Sequence, residues 1–315
     1  MPTTDLYYRF KPYLHWRLRL ALRRRLAKYI RRTKGDVWPI NPAAGETPEG
    51  WTGWPEGKKF AFVLTHDIEG DRGLNRSRQL MKLEMELGFR SSFNFVPEGE
   101  YEVPRELREE LVANGFEVGV HDLHHDGKLY RTQEQFLTKA KRINRYLKEW
   151  NASGFRSGFM LHKLDWLHHL DIKYDASTFD TDPFEPEPDG VGKIFPFWKS
   201  DDNGGSYVEL PYTLVQDSTL FIYLRETSIN IWKQKLDWIA ERGGMALLIV
   251  HPDYMQFDGA KCDQKQFPES RYREFLQFVK TKYAGEYWAA LPREMAEWFA
   301  VTQPKTNSGR QGQKA

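Results

Sequence analysis

Cysteine is nearly absent from this chain, because Cys262 is the only one among 315 residues. A single cysteine excludes an internal disulfide and is typical of proteins from a reducing compartment. Long apolar runs are absent too, and none approaches the ~20 residues that a membrane-spanning helix needs. Arg and Lys interrupt every apolar stretch before residue 35, which leaves no apolar segment of ~7–15 residues for a secretory signal. We therefore expect a cytoplasmic protein.

Acidic residues are also scarce at the start of the chain. The first 34 residues contain eleven Lys and Arg but only one acid, Asp5, which gives this arm a charge of +10. The remainder holds 35 basic and 43 acidic residues and has a charge of −8. A body of that sign offers no broad surface for nucleic acid, so we expect no nucleic-acid partner.

The basic arm, residues 1–35, contains a periodic apolar stripe within residues 13–33. The stripe consists of Leu14, Leu18, Leu22, Leu26 and Ile30, and Arg23, Arg24, Arg25, Arg31 and Arg32 lie largely away from it. This spacing predicts a basic amphipathic helix. One interpretation is peripheral contact with anionic lipid at the inner face of a membrane. The other is a helix whose stripe packs on the domain or on a second subunit.

The rest of the chain divides into three parts. Residues 36–58 are rich in Gly, Pro and Trp and predict an ordered linker without regular structure. Strands and helices alternate over residues 59–301, and the polar tail, residues 302–315, is predicted to be disordered. Strands are expected at 60–65, 91–96, 116–120, up to 156, 207–212 and 245–250, and helices at 73–87, 104–113, 132–150, 165–170, 228–241, 269–282 and 292–301. Such alternation predicts an α/β fold with a parallel sheet, open or closed into a barrel.

Chemically active residues follow the strands. Asp67, His121, Arg156 and His251 each stand at the end of a different predicted strand, and ligand sites of such folds lie at the carboxyl ends of their strands. His121 and His125 are four residues apart, so they can converge on one ion if the segment makes a helical turn. Two histidines and one carboxylate supply the three ligands that a catalytic zinc takes from protein. The pattern predicts a metallohydrolase.

The chemistry of such a site is self-consistent. A bound Zn²⁺ lowers the pKa of its water towards ~7, and Asp67 can act as the base for that water if an arginine keeps it charged. The oxyanion can be stabilised by the metal and a backbone N–H. Protonated His251 can supply the proton that a departing amine or alkoxide needs.

Four motifs resemble those of the polysaccharide deacetylases, the NodB-homology or carbohydrate esterase family 4 proteins. The family's Gly-x-Glu-hydrophobic-Gly-x-His-(Ser/Thr)-x-x-His run is similar to GFEVGVHDLHH at 115–125, and its Thr-Phe-Asp-Asp to THDIE at 65–69. Its Arg-x-Pro is matched in part by FRSGF at 155–159, and its strand ending in His by LLIVH at 247–251. The four motifs extend over most of residues 59–300.

The resemblance implies a distorted (β/α) barrel of about seven or eight parallel strands. It implies that Asp67 is the base, that Arg156 holds it ionised, and that His251 is the general acid. Glu69, His121 and His125 would bind Zn²⁺ or another divalent ion such as Co²⁺, Ni²⁺ or Mn²⁺. Two departures stand out: the second acid is a glutamate displaced by one residue, so Asp67 or Glu69 could be the ligand, and no proline follows Arg156.

Residues 174–216 are interpreted as a specificity region. The aromatic faces of Trp198 and Tyr212 could stack on a sugar ring, and Asp180 and Asp182 lie in an acidic, proline-stiffened loop. We assign these four residues to substrate binding, with one of the two aspartates also able to orient His251. The alternative is that the region packs as a rigid lid.

The sequence thus favours a deacetylase that acts on an acetylated saccharide or a surface-polysaccharide precursor, with N-acetyl preferred over O-acetyl. Two alternatives are open. One is a C–N hydrolase of a small amide on the same fold, and the other is a non-catalytic barrel that binds glycan or a membrane surface.

Overall fold

The structure, a computed structural model, describes residues 15–303 and is organised around one curled, mostly parallel sheet. Within those residues nine strands form the sheet, and only one neighbouring pair in it is antiparallel. The strands are β1 (Phe60–Ile68), β2 (Ser92–Phe95), β3 (Glu117–His121), β4 (Gly154–Arg156), β5 (Tyr174–Asp175), β6 (Phe197–Ser200), β7 (Ser206–Glu209), β8 (Met245–Val250) and β11 (Tyr287–Ala289). A separate pair consists of β9 (Met255–Gln256) and β10 (Phe267–Pro268).

Helices alternate with these strands, as the sequence predicts. They are α1 (Trp16–Thr33), α2 (Asp71–Leu87), α3 (Arg105–Ala113), α4 (Gln133–Trp150), α5 (Asn230–Arg242), α6 (Ser270–Lys282) and α7 (Pro292–Thr302). Short 3₁₀ turns cover Pro42–Gly45, Pro55–Gly57, Gly158–Met160 and Trp166–His169, and a π-helical segment covers Ser218–Tyr223. Their ends follow local chemistry: the Thr132 side chain caps α4, and Gly88 and Gly243 end α2 and α5 with positive φ.

Strands β1 and β8 form the centre of the sheet. Both are buried along their whole length, as expected for parallel strands covered on both faces. Strand β8 lies on one side of β1. Strands β11 and β2 lie on the other, β11 beside the start of β1 and β2 beside its end. Strands β3, β4, β5 and β7 continue the curl from β2.

The segment after β7 closes the barrel by single contacts rather than by a strand. The backbone N–H of Tyr212 donates to Thr178 (2.9 Å), and the N–H of Leu214 donates to Leu247 in β8 (3.0 Å). The predicted strand over 207–212 is therefore shorter than expected, because Pro211 has no N–H to offer the ladder. The result is the predicted distorted barrel, with eight parallel strands among the described residues.

Helix α1 docks on the barrel by a face other than its leucine stripe. Leu20 and Ala27 are its buried residues, and Arg24 donates from Nε to the carbonyl of Ile222 in the π-helical segment (2.9 Å). Leu18, Leu22, Leu26 and Tyr29 are 43–64% exposed. The helix therefore packs on its own domain through that face, and most of the leucine stripe is left exposed to solvent. Leu14 and residues 304–315 of the predicted tail lie outside the described residues.

The segment between α1 and β1 packs through its tryptophans. Trp38 and Trp54 are buried, and the Trp54 indole donates to the carbonyl of Gly243 (2.7 Å). Trp51 meets Phe195 edge to face. Among residues 15–303, no helix combines the length and apolarity that crossing a bilayer requires.

Candidate active site

The residues singled out from the sequence meet at the carboxyl edge of the sheet. Asp67 is the penultimate residue of β1, His121 and Arg156 end the adjacent strands β3 and β4, and His251 follows β8. The register places Asp67 beside Asn94 and His121 beside Arg156. Side chains far apart in sequence are thus brought together because parallel strands end at one edge.

Three of the side chains that the sequence analysis assigned to the metal form a group able to hold a cation. The ligand atoms of Glu69, His121 and His125 all lie within 4.8 Å of one another. Nδ1 of His121 donates to the carbonyl of Arg156 (3.1 Å), which leaves the lone pair on Nε2. Nε2 of His121 and Nε2 of His125 are buried and have no hydrogen-bond partner among the described residues. Orphaned buried nitrogens are rare, so this pair requires an explanation.

His125 reaches the site by a route other than the predicted helical turn. Asp122 and His125 have positive φ, at 56° and 50°, and the loop between them carries the second imidazole back towards His121, with ring centroids 4.9 Å apart. The His125 ring stacks on Phe159 at 4.4 Å. A Cβ on Gly158 would lie 2.9 Å from Cδ2 of His125. This close approach explains why glycine stands at the third position of the Arg-x-Pro motif.

The neighbouring segment fixes Glu69. Its Oε2 accepts a hydrogen bond from the Tyr254 hydroxyl (2.8 Å), and its backbone N–H donates to Asp253 (3.0 Å). Asp253 also accepts from the N–H of Gly73 (3.1 Å), where a Cβ would lie only 2.1 Å from its carboxylate. With Oε2 engaged by Tyr254, Oε1 is the atom directed at His125, 3.3 Å from its Nε2.

This donor set fits a divalent metal. Two ligand atoms that each lie about 2.0–2.1 Å from one tetrahedral ion are about 3.3 Å apart, which is the separation of Glu69 Oε1 and His125 Nε2. Burial and the proximity of His125 lower the pKa of His121, so its Nε2 lone pair is available at neutral pH. Two imidazoles and one carboxylate leave a fourth position open, as in catalytic zinc sites.

Asp67 is a buried carboxylate held in its charged form. Nη1 of Arg156 donates to Oδ1 of Asp67 (3.0 Å), and Nδ2 of Asn94 donates to the same atom (2.9 Å). Burial alone would raise the pKa of Asp67. The positive charge of Arg156, with that of His251, outweighs burial and holds that pKa well below its usual range.

His251 is held by a carboxylate that the sequence analysis did not identify. Its Nδ1 donates to Oδ1 of Asp217 (2.7 Å), and its backbone N–H donates to Oδ2 (2.8 Å). Burial would lower the pKa of His251, but the charge of Asp217 raises it to about 10. Nε2 of His251 faces Glu69 at 3.9 Å, so the imidazolium can present a proton to the site.

Four of these groups line one cavity of about 660 Å³. Asp67, Glu69, His121 and His251 are at its polar end. The apolar lining includes Leu22, Leu26 and Ile30 of α1, together with Phe159, Met160 and Phe184. A volume of this size is within the range of small-molecule sites, roughly 300–1,000 Å³. Helix α1 therefore forms one side of the opening.

The residues assigned to substrate binding are placed apart from the metal group. Trp198 donates its indole N–H to the carbonyl of Gln303 (3.0 Å) and packs on Phe299. The Tyr212 hydroxyl donates to Asp182 (2.9 Å), and Asp180 pairs with buried Lys235 (2.9 Å). None of these four assigned residues is among the described residues that line the cavity. Neither aspartate contacts His251, because Asp217 occupies that position.

Glu185 and Gln216 are the pocket-lining residues that sequence reasoning missed in this region. Oε1 of Glu185 lies 2.6 Å from the Tyr212 hydroxyl oxygen and accepts a hydrogen bond from Nε2 of Gln216 (2.5 Å). Burial, with the adjacent charge of Asp182, raises the pKa of Glu185 to about 8. Glu185 stands in the acidic DTDPFEPEP loop, and that was the available signal. Asp217 gave a weaker one, as an acid that follows the apolar run ending at Val215.

Comparison with known proteins identifies the fold. No family model matches the sequence, and no curated protein matches it. A solved structure described as a candidate polysaccharide deacetylase from Mycobacterium smegmatis aligns with 84% of this chain and 99% of its own, with a TM-score of 0.59 and 19% identity. The family 4 carbohydrate esterase from Streptomyces lividans aligns with 74% of this chain and 93% of its own (TM-score 0.42, 10% identity). Peptidoglycan deacetylase PdaC from Bacillus subtilis aligns with 76% and 90% (TM-score 0.43, 10% identity).

The chain thus has the fold of the polysaccharide deacetylases, a distorted (β/α) barrel. The resemblance inferred from the four motifs is confirmed at the level of the fold.

Proposed function

We propose that this protein is a divalent-metal-dependent hydrolase that removes an acetyl group from a saccharide. One observation carries the proposal. Nε2 of His121 and Nε2 of His125, which have no hydrogen-bond partner among the described residues, converge with Glu69. Glu69 and His121 line a cavity that also contains a charged carboxylate, Asp67, and an imidazolium, His251. A base, an acid and a three-ligand cation site in one cavity are the parts that amide hydrolysis requires.

Glu69, His121 and His125 would hold the ion. A divalent ion bound there would supply a Lewis acid that polarises a carbonyl oxygen and lowers the pKa of water. Zinc suits two nitrogens and one oxygen, and Co²⁺, Ni²⁺ and Mn²⁺ accept the same donors.

The protein's own residues carry the proton transfers. Asp67 accepts the proton of the attacking water, and Arg156 and Asn94 keep it ionised and oriented for that task. His251, charged because Asp217 supports it, donates a proton to the departing atom. An amine leaves only after protonation, whereas an alkoxide depends on it less. A strongly supported acid therefore favours an N-acetyl over an O-acetyl group.

A saccharide is the substrate class that best suits the fold and the cavity. The Mycobacterium smegmatis protein with this fold is described as a candidate polysaccharide deacetylase. Glu185 and Gln216 line the same cavity as Asp67 and His251, and their polar groups can pair with sugar hydroxyls, which supports a saccharide substrate.

Acetate release from metal-loaded protein tests the proposal. The substrates are N-acetyl sugars, O-acetyl sugars, nucleotide sugars and small linear or cyclic amides, each with and without a chelator. We expect chelator-sensitive release from N-acetyl sugars. His125→Ala should abolish release and metal retention, and His124→Ala is the matched control, because His124 bonds to the carbonyl of Glu98 instead. Full activity after metal removal would overturn the mechanism. Activity confined to small amides would show that the substrate is a small amide and not a saccharide.

A further inference from the structure

Helix α1 presents two adjacent strips to solvent. Leu18, Leu22 and Leu26, at intervals of four, form an apolar strip with Tyr29, and all four are 43–64% exposed. A second strip is basic and consists of the exposed residues Arg17, Arg25, Lys28 and Arg32. Helical geometry puts Arg25 next to Leu18 and Tyr29, so the strips share a long border. A helix with apolar and cationic strips side by side has the pattern of an interfacial helix.

The apolar strip continues into the cavity. Leu22 and Leu26 belong to the exposed strip and also line the cavity whose floor holds His121 and His251. Ile30, one turn beyond Leu26, lines it as well. Leu22 and Leu26 therefore connect the solvent-facing side of α1 with the wall of the cavity that holds the site. An apolar surface that reaches solvent in this way marks an interaction site, and it can pack against a hydrocarbon chain.

A basic groove adjoins the start of the same helix. Arg17, Arg72, Arg225 and Lys265 line it, with Cys262 at its wall. Asp263 also lines the groove and pairs with Arg72 at 3.3 Å. Cations therefore exceed acids at this end of α1, as they do along the basic strip. This charge is complementary to an anionic lipid surface.

We infer that α1 rests on an anionic membrane and that the substrate is an acetylated saccharide attached to a lipid, whose apolar tail lies along Leu22 and Leu26. The inference rests on the proposed function for the chemistry. It adds that the substrate is attached to a lipid and that an anionic membrane presents it to the site. The basic strip meets the headgroups, the apolar strip enters the interface, and the cavity opens beside it.

Vesicle sedimentation of the full chain tests the surface. Vesicles of phosphatidylcholine alone are compared with vesicles that also contain phosphatidylglycerol, and we expect binding to the second kind. The double variant Arg25→Gln/Arg32→Gln should bind about thirtyfold more weakly, because each charge near the surface is worth about fivefold. The double variant Leu18→Gln/Tyr29→Gln should lose binding as well.

The chain offers matched controls for both variants. Lys141 and Lys148 are exposed cations on α4, and Val112 and Val301 are exposed apolar side chains away from α1. Replacing either pair with Gln should leave binding unchanged. The inference is overturned if the wild-type protein does not bind anionic vesicles. It is also overturned if the control variants weaken binding as much as the α1 variants do. A dimer that Leu18→Gln/Tyr29→Gln dissociates, with no vesicle binding, would assign the strip to a second copy and also overturn it.

Kinetics test the substrate. One acetylated sugar is offered as a soluble headgroup and, joined to a long-chain lipid, in anionic vesicles. We expect faster turnover of the vesicle form, and Leu18→Gln/Tyr29→Gln should remove that advantage without changing the soluble rate, since neither residue lines the cavity. Equal rates for both forms overturn the lipid-linked substrate and leave the proposed function intact. Vesicle binding without hydrolysis of either form would instead overturn the proposed function.

Discussion

Arg156 donates a hydrogen bond from Nη1 to Oδ1 of Asp67 over 3.0 Å, and both side chains are almost completely buried. Removing the arginine would leave a buried carboxylate without its counter-charge. Arg156→Ala should therefore lower the free energy of unfolding by about 3–5 kcal/mol, measured by urea denaturation. The half-exposed pair of Arg78 and Glu110 provides the control, since Arg78→Ala should change stability by no more than about 1 kcal/mol. Equal effects would show that burial of the Asp67 pair is unimportant.

Metal binding should be visible in stability as well as in activity. Zinc at a hundred times its dissociation constant should raise the free energy of unfolding by about 2.7 kcal/mol, and a chelator should reverse this. His121→Ala removes an orphaned ligand atom and should abolish the gain, whereas His124→Ala should keep it. A gain that survives in His121→Ala would place the ion elsewhere.

Asp217 should act on catalysis through His251. Asp217→Asn removes the charge that holds the imidazolium, so kcat should fall by about 10²-fold, on the scale of a general acid's contribution. KM and the affinity for zinc should change little. The exposed Asp171 offers a matched carboxylate on the surface, and Asp171→Asn should leave kcat unchanged. A kcat that Asp217→Asn leaves intact would remove His251 from its role as the acid.

Gly158 should be required for metal affinity. A Cβ there would lie 2.6 Å from Oδ2 of Asp122 and 2.9 Å from Cδ2 of His125. Gly158→Ala should displace the His125 ring and weaken zinc binding by about 10–100-fold, as expected when the support of a ligand is lost. Gly35→Ala is the control, because its Cβ meets only one atom, at 3.9 Å. Calorimetric titration with zinc measures both variants.

Glu117 should make stability depend on pH. Burial raises its pKa to about 7, although the N–H of Arg293 and the hydroxyl of Tyr174 donate to it. As pH rises past about 4.5 the unfolded chain loses this proton first, so stability falls until about pH 7 and then levels off. The loss amounts to about 3 kcal/mol. Urea denaturation across this range should show a smaller decline for Glu117→Gln, and parallel curves would contradict the assignment.

The sequence predicts the strands and the position of the site because short sequence patterns indicate which strands are buried and where each one ends. The continuous apolar runs of β1 and β8 indicate strands covered on both faces, and each is found as expected. Asp67, His121 and His251 meet because parallel strands end at one edge. For these three residues, the position at the end of a strand is visible in the sequence around each one. Their placement at one edge of the sheet could therefore be predicted without knowing the strand order.

The remaining features depend on contacts that no local pattern encodes. Asp217 reaches His251 only because the irregular segment after β7 closes the barrel. His125 reaches His121 through a loop with two left-handed residues, Asp122 and His125. Gly158, which follows strand β4, leaves the space that the His125 ring occupies. Trp198 has the chemistry of a sugar platform, but edge strand β6 carries it to the C-terminal helix. Periodicity located the stripe of α1 without revealing which face would dock.

Cys262 stands in the groove beside Trp16 and Arg17, and the chain has no second thiol. A maleimide fluorophore or nitroxide can therefore be attached at one known point near the start of α1 without any prior mutagenesis. Emission shifts and relaxation rates from that reporter would follow the position of the helix relative to the barrel and to a bilayer in the otherwise native protein.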